Sequence, residues 1–383
     1  MTITTSQFSQ SLNPFSLSKA LSRHKRAALP PRPQLQRRRS ISSLPRPYRF
    51  HIGISWAGKP ENPRSKRVKQ SFDSESSIGK WRDAVLQRHH KSSWGIDPGE
   101  DFFYVQEMRE KSGVSLGVAD GVGGWVESGV DPSLYSQALM YHAHRYSKHA
   151  WAGEPEIDPT QDYEEREQVE GWEMTPRECL ELAHDAVLRE RVVEAGSSTA
   201  CLINLNASSG VLRSANLGDS GYSIIRSSAI VYRQPAQTHF FNCPKQLTKI
   251  PSDARVFRGA CVDSPSDADV YETRLRDGDI IIAYTDGLSD NVFPSEMVSI
   301  CSLVARQSQN RPIDELQQML PGQLEDEQVQ TMADRMVEYA KLCMNNKKRV
   351  SPFERSAARE GMYFRGGKPD DVTVVLALVR ETA

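Results

Sequence analysis

Four carboxylate motifs in this 383-residue chain share one arrangement: each acid lies at the edge of an apolar run. Asp120-Gly121 closes the run 114–119, and Asp286-Gly287 closes the run 280–285. Asp219 follows Ala215-Asn-Leu-Gly218, and Asp370-Asp371 immediately precede Val372-Thr-Val-Val-Leu376. A carboxylate at a strand end can point into a cleft while the strand stays rigid in the core. Several carboxylates converging there would repel strongly unless a cation neutralised them. Hard oxygen donors favour Mg²⁺ or Mn²⁺ over zinc, and no His/Cys cluster argues otherwise. The glycine after Asp120 and Asp286 would let the backbone turn sharply beside an ion. A single Asp-Gly is ordinary turn chemistry. Four acid motifs, each joined to a strand in the same manner, favour a shared site.

The elements that must position these acids are legible as periodicity. Strand-like runs occur at 114–119, 200–205, 211–216, 222–226, 279–284 and 372–379, β-branched or bounded by Gly, Asn and Asp. In the first, Val114, Leu116 and Val118 share one face and small residues the other, as in a strand packed on both sides. Asp131-Pro132 predicts an N-cap with Pro at the first helical position, leading through Leu134, Ala138 and Tyr141 to a basic end at Arg145 and Lys148. Thr175-Pro-Arg-Glu178 is a capping box opening a second helix through Leu180, Ala183 and Val187. A third begins after Phe293-Pro294. A fourth covers about 326–344, with Val329, Met332, Met336, Tyr339 and Cys343 on one stripe. The acidic stretch 153–171 reads as an exposed loop. Strands grouped between pairs of helices predict an α+β fold, an antiparallel sandwich layered with helices, over a regular βαβ fold.

Gly117-Val-Ala-Asp-Gly-Val-Gly-Gly-Trp125, Gly196-Ser-Ser-Thr-Ala200, Asn216-Leu-Gly-Asp-Ser220, Thr285-Asp-Gly-Leu-Ser-Asp-Asn291 and Gly366-Gly-Lys-Pro-Asp-Asp-Val-Thr-Val374 resemble, in order, the signature motifs of type 2C (PPM) metal-dependent protein phosphatases. Asp-Gly-Val-Gly-Gly-Trp with Gly-Gly-Lys-Pro-Asp-Asp is similar to their mitochondrial branch in particular, and the resemblance spans about residues 95–380. It implies a central sandwich of two antiparallel β-sheets flanked by helices on both faces. It implies serine/threonine phosphatase activity on phosphorylated proteins, through a metal-activated water at a binuclear Mg²⁺ or Mn²⁺ centre. Asp120 would bridge two ions, helped by the Gly121 carbonyl, with Asp286 and Asp370 completing the first position. Glu100 and Asp101 match the family's early acidic pair at the second. Asp219 and Asp290 match a weaker third metal position, and Asp371, a further metal-ligand candidate, stands where the family often has Asn.

Two positions depart from the wider family. Ile96 stands where members carry a phosphate-binding Arg, and Val122 where many have a general-acid His. His239 is a conceivable substitute acid, although a structural His is the plainer reading. A haloacid-dehalogenase-type phosphatase needs Asp-x-Asp, and Val118 breaks that motif. No Cys-x5-Arg follows Cys179, Cys201 or Cys261, so a phosphocysteine route is not indicated. A catalytically weak or inactive binding scaffold is the alternative. Such relatives tend to lose ligands, whereas Asp120, Gly121, Asp286 and Asp370 all stand.

Composition adds a division along the chain. Of the 48 Lys and Arg, eleven fall in the first 60 residues together with none of the 49 Asp and Glu, which leaves residues 61–383 a net charge of −12. A basic, Ser-rich, acid-free leader is the composition of a transit peptide. Phe15, Leu17 and Leu21 would share one side of a helix that Pro30, Pro31 and Pro33 end. The expected organisation is a disordered mitochondrial transit peptide over 1–55, a linker over 56–80 and a catalytic domain over 81–383, working in the matrix. Poor aromatic interleaving in the basic leader argues against nucleic acid. No apolar run is long enough to span a bilayer, so stable membrane insertion is not expected, and a monomer is. Six scattered cysteines without a Cys-x-x-Cys pair read as reduced, mostly buried thiols.

Overall fold

A computed structural model describes residues 46–60, 70–89, 97–153, 173–251 and 261–382. Most of the expected loop at 153–171, the leader helix at 15–29 and Ile96 lie outside them.

Two five-stranded antiparallel sheets carry the fold. The first has the order β1-β14-β13-β7-β8, formed by Tyr48–Ala57 (β1), Val372–Glu381 (β14), Ile280–Tyr284 (β13), Gly221–Arg226 (β7) and Ala229–Arg233 (β8). The second has the order β12-β6-β5-β3-β2, formed by Asp269–Arg274 (β12), Val211–Leu217 (β6), Ala200–Asn206 (β5), Gly113–Asp120 (β3) and Asp101–Glu107 (β2). Two small pairs complete the strands: Gly196–Ser198 (β4) with Leu247–Lys249 (β11), and Thr238–Phe240 (β9) with Cys243–Pro244 (β10).

The helices form the outer layers. Ser77–His89 (α1), Ser133–His149 (α2) and Pro176–Arg189 (α3) cover the second sheet, where Phe102, Ala119, Leu139, Leu180 and Leu202 share one core. Pro294–Gln309 (α5) and Gln323–Met344 (α7) cover the first sheet, where Val304, Val329, Met332, Met336 and Leu376 share another. Asp286–Ser289 (α4), Ile313–Gln318 (α6) and Pro352–Arg359 (α8) are short. Between the sheets lies a third core with Trp56, Phe103, Leu116, Val118, Ile203, Tyr222, Ile281 and Val375. The molecule is therefore layered helix, sheet, sheet, helix, as expected.

Strand β14 shows why. Val372, Val374, Leu376 and Leu378 face the helices while Val375, Ala377 and Val379 face the other sheet. A strand apolar on both faces can only sit inside such a stack, and each large side chain sealed there contributes about 1.5–3 kcal/mol. The capping box at Thr175 is formed: Glu178 N–H donates to Thr175 Oγ1 at 3.2 Å and Thr175 N–H to Glu178 Oε2 at 2.8 Å.

One boundary is corrected. The expected leader to residue 55 and linker to 80 overlap β1, which pairs along its whole length with β14, and α1, which begins at Ser77. Both elements belong to the folded domain. Phe50, Ile52, Ile54 and Trp56 alternate through that segment, a strand signal that the absence of acids overrode.

Candidate metal centre

The sheet registers bring the strand-end acids to one end of the sandwich. Asp101 opens β2 and Asp120 closes β3, and the two are directly paired across the ladder. Tyr284 of β13 pairs with Val374 of β14, and Thr285 N–H donates to the Thr373 carbonyl, so Asp286 emerges beside Asp370 and Asp371. Asp219 lies in the turn where the chain passes from β6 in one sheet to β7 in the other. Like charges set directly opposite are destabilising unless neutralised.

The backbone around Asp120 is fixed by neighbours. Asp120 N–H donates to Thr199 Oγ1 at 3.2 Å, while its carbonyl accepts from Thr199 N–H at 3.0 Å and Ser198 Oγ at 2.8 Å. Trp125 Nε1 donates to Ser197 Oγ at 2.7 Å, so the Gly-Ser-Ser-Thr segment braces both flanks of the Asp120 motif. The two Asp-Gly glycines serve close approach rather than an unusual turn. Neither has a positive φ. A Cβ on Gly121 would lie 2.6 Å from the Pro132 carbonyl oxygen and 2.8 Å from that of Glu100, and one on Gly287 would lie 1.9 Å from the Asp371 carbonyl oxygen. The sharp-turn expectation is corrected accordingly.

Two lysines to which sequence reasoning gave no role lie among the acids. Lys368 Nζ donates to Asp286 Oδ2 at 2.6 Å and Asp290 Oδ2 at 2.7 Å, and sits 3.2 Å from Asp370 Oδ2. Lys59 Nζ donates to Glu100 Oε2 at 2.7 Å and lies 3.5 Å from Asp370 and 3.4 Å from Asp371. Asn291 holds Lys368 in place: its Oδ1 accepts from Lys368 N–H and its Nδ2 donates to the Lys368 and Gly287 carbonyls. Asp371 turns toward backbone, accepting from Lys59 N–H at 2.6 Å and Glu100 N–H at 2.9 Å. It fills the space where a side chain on Gly99 would lie, and Gly99 has φ +78°. Asp371 therefore organises the segment carrying Glu100. Asp101 Oδ2 accepts from Thr285 Oγ1 at 2.7 Å.

The electrostatics are those of a crowded acidic site. Burial, then neighbouring carboxylates, push Asp101 and Asp120 well above the ordinary carboxylate range. Asp219 is raised in the same way, first by burial and then by Asp286 and Asp290. Burial raises Asp290 to about 7 and Asp370 to about 6, against the pull of Lys368. Burial also pushes Asp286 upward, but Lys368 outweighs it and the net shift is downward. One ammonium cannot neutralise three carboxylates, and Asp286, which it meets at the shortest distance, takes most of its charge.

Among the described residues no three of the donors stand as a finished coordination sphere; the lysine ammonium groups lie between them. Three features nevertheless fit a hard divalent cation. The donors are all oxygens, Lys368 already stands in as a cation, and Asp286 Oδ1 is buried without a hydrogen-bond donor facing it. His239 does not join the cluster by any hydrogen bond; it contacts Asp263 Oδ2 at 2.9 Å. Val122, half-buried, donates its N–H to the Ser197 carbonyl and has no acid to offer.

A helix-flanked pair of antiparallel sheets with acids at the strand ends defines the type 2C class of phosphatase. Among proteins of known name, the chain is 36% identical over 284 residues to the human Protein phosphatase PTC7 homolog, covering 74% of this chain and 80% of that one. It is 36% identical over 288 residues to the Xenopus laevis Protein phosphatase PTC7 homolog, covering 75% and 83%. The chain belongs to this PTC7 family of type 2C protein serine/threonine phosphatases. The X-ray structure of the photosystem II phosphatase PBCP shares the fold, with a TM-score of 0.55 and 24% identity over 86% of this chain and 98% of that one. No protein-family model matches the chain.

Proposed function

We propose that this phosphatase hydrolyses phosphoserine and phosphothreonine on proteins at a binuclear Mg²⁺ or Mn²⁺ centre, in the mitochondrial matrix. Asp120, the Gly121 carbonyl, Asp286 and Asp370 would hold one ion, and Asp120 with Glu100 and Asp101 the other. Asp219 and Asp290 would serve a weaker third position. Bound ions would supply an acidified water nucleophile and neutralise charge on the phosphoryl oxygens. The chain's own residues hold this arrangement rigid: the Ser198 and Thr199 bonds set Asp120, Thr285 sets Asp101, and Asp371 sets Glu100.

The observation that carries the reading is the buried, mutually repelling carboxylate cluster whose least satisfied atom is Asp286 Oδ1. The test is phosphopeptide hydrolysis by residues 46–383 in chelator and with added Mn²⁺, paired with Mn²⁺ binding by calorimetry. Native protein should require the ion, and Asp286→Asn should lose about 10²-fold or more in turnover together with much of its Mn²⁺ affinity. Activity that persists in excess chelator would defeat the metal reading.

The matrix assignment rests on the basic, acid-free leader. A reporter fused to residues 1–45, which stop short of β1, should enter mitochondria. Replacing the arginines between 23 and 39 by Gln should abolish import; nuclear accumulation would count against the assignment.

A further inference from the structure

Two of the six cysteines stand apart from the rest. Cys179, Cys201, Cys301 and Cys343 are buried at 3% exposure or less, and burial raises all four thiols. Such sulfurs are inert to reagents in solution. Cys243 and Cys261 are half-buried, eighteen positions apart in sequence, with their sulfurs 3.5 Å from each other. A disulfide needs an S–S distance of about 2.05 Å, a difference that side-chain rotation with a small backbone adjustment can cover.

The pair sits in a brace against the metal centre. Cys243 begins β10, and two residues on Lys245 N–H donates to the Gln237 carbonyl. Gln237 is tied to Gly218, next to Asp219: its N–H donates to the Gly218 carbonyl at 2.9 Å and its Oε1 accepts from Gly218 N–H at 3.3 Å. Gly218 has φ +102°, and a Cβ there would lie 2.7 Å from the Lys245 carbonyl oxygen, so this junction has little room to yield. On the other side, the Cys261 carbonyl accepts from Thr248 Oγ1 at 2.9 Å, and Asp263 exchanges hydrogen bonds with Gln246. Gln246 Oε1 accepts from Ser197 Oγ, the group that also holds Trp125. Both routes to the acidic site, through Lys245 and Gln237 to Gly218 and through Gln246 to Ser197, thus belong to the segment that carries Cys243, and the Cys261 segment is hydrogen-bonded to it at Gln246 and Thr248.

We propose that Cys243 and Cys261 form a reversible disulfide in response to a hydroperoxide, and that the bond slows the phosphatase by drawing the Cys243 segment, with its contacts to Gly218 and Ser197, toward Cys261. The chemistry balances with one equivalent of oxidant. The Cys261 sulfur attacks the outer oxygen of ROOH, the O–O bond breaks, ROH departs with the thiol proton, and Cys261 is left as a sulfenic acid. The Cys243 sulfur then attacks that sulfur, the S–O bond breaks, and water departs with the Cys243 proton. Two thiols and ROOH become a disulfide, ROH and water. Burial and the hydrogen bond with Cys261 push the Cys243 thiol up to about 11, so Cys243 is assigned the second step, where its sulfur already lies 3.5 Å from that of Cys261 and proximity offsets its small thiolate fraction. The slowing of catalysis rests on the metal-dependent phosphatase reading; formation of the bond does not.

The test treats the folded full-length protein with tert-butyl hydroperoxide, alkylates remaining thiols and maps peptides by mass spectrometry. The expected product is a Cys243–Cys261 cross-linked peptide lighter by two hydrogens, reopened by dithiothreitol and absent from Cys243→Ser and Cys261→Ser, both of which should keep native basal turnover. Phosphopeptide hydrolysis should fall several-fold when the bond is closed and recover on reduction, in native protein only. Separate sulfinic or sulfonic products at either cysteine, or cross-links to the buried cysteines, would overturn the site. Unchanged turnover with the bond fully closed would overturn its coupling to catalysis.

Discussion

Lys368 holds three acids of the candidate centre at once, and its side chain is only 16% exposed. Taking one partner out of a buried charge network costs about 3–5 kcal/mol, because the remaining charges stay uncompensated. Lys368→Met should therefore lose about that much stability in urea unfolding with chelator present, and recover part of it when Mn²⁺ supplies the missing charge. A variant as stable as native protein in chelator would show that the ammonium does not neutralise the cluster. Val122 poses a different question. Without a positioned acid, the alkoxide leaving from phosphoserine must find its proton elsewhere, whereas an aryl oxide hardly needs one. General acids are worth 10²–10⁴-fold, so the rate should depend steeply on leaving-group acidity. Val122→His should raise phosphoserine turnover by about tenfold or more, with little change for aryl phosphates; a flat dependence in the native enzyme would show that another group supplies the proton. The acids themselves were legible because each borders an apolar run. The lysines were overlooked because a lone basic residue carries no such signature, yet the same Gly-Lys-Pro occurs at 58–60 and 367–369. One copy follows β1 and the other precedes β14, strands paired from Ala57 to Val372, so both lysines arrive at the same acids.

At the scale of elements, every strand recovered from periodicity, β3, β5, β6, β7, β13 and β14, is sealed on at least one face. Edge strand β12 was missed because five of its six residues are exposed, leaving no apolar alternation to read. Strand β2 was missed for the opposite reason. Phe102, Phe103 and Tyr104 are consecutive and all buried, split between two cores, and a continuous apolar run has no period. Helix α8, Pro352–Arg359, was missed because it is short, although Ser351 caps it at Glu354 N–H. Strand β1 is held by its partner β14 and by α7, and their closest approach lies at Gly53. A Cβ there would lie 2.4 Å from the Val329 carbonyl oxygen and 2.8 Å from Gln330 N, while Ile54 exchanges two backbone hydrogen bonds with the Gln330 side chain. Backbone cannot rotate away as a side chain can. Gly53→Ala should force the helix off the strand and cost about 1–3 kcal/mol, measured as a lower urea midpoint with an unchanged m-value. An unaltered midpoint would mean that α7 is not held against β1 at this distance.

For the whole molecule, charge and burial are distributed unevenly, and the helical layer over the second sheet holds histidines whose protonation should cost stability. His142, His144 and His184 lie in that layer. Burial pulls all three below the ordinary histidine value: His142 beside Glu190, His184 against Tyr135, and His144 to about 4, with Lys148 and Arg88 adding to the effect. His144 packs its ring 5.4 Å from that of Trp81 on α1, joining α2 to its neighbour, and its Nδ1 is buried without a partner. In the unfolded chain a histidine titrates near 6.5. Between about pH 6.5 and 4 the unfolded state therefore binds more protons at this position than the folded state. The stability His144 contributes by staying neutral is fully present above pH 6.5 and is lost as pH falls toward 4. Phenylalanine fills a similar space and cannot take a proton. Urea unfolding of native protein and His144→Phe, followed from pH 8 to 4.5 in chelator, should give a constant difference above pH 6.5. Below it the native curve should drop relative to that of His144→Phe, because the acidic centre, whose raised carboxylates take up protons in the folded state, changes stability equally in both proteins and only the native one must also resist charging a ring whose Nδ1 is buried. Parallel curves throughout would show that His144 reaches water freely and that the layer has no acid-sensitive joint at this position.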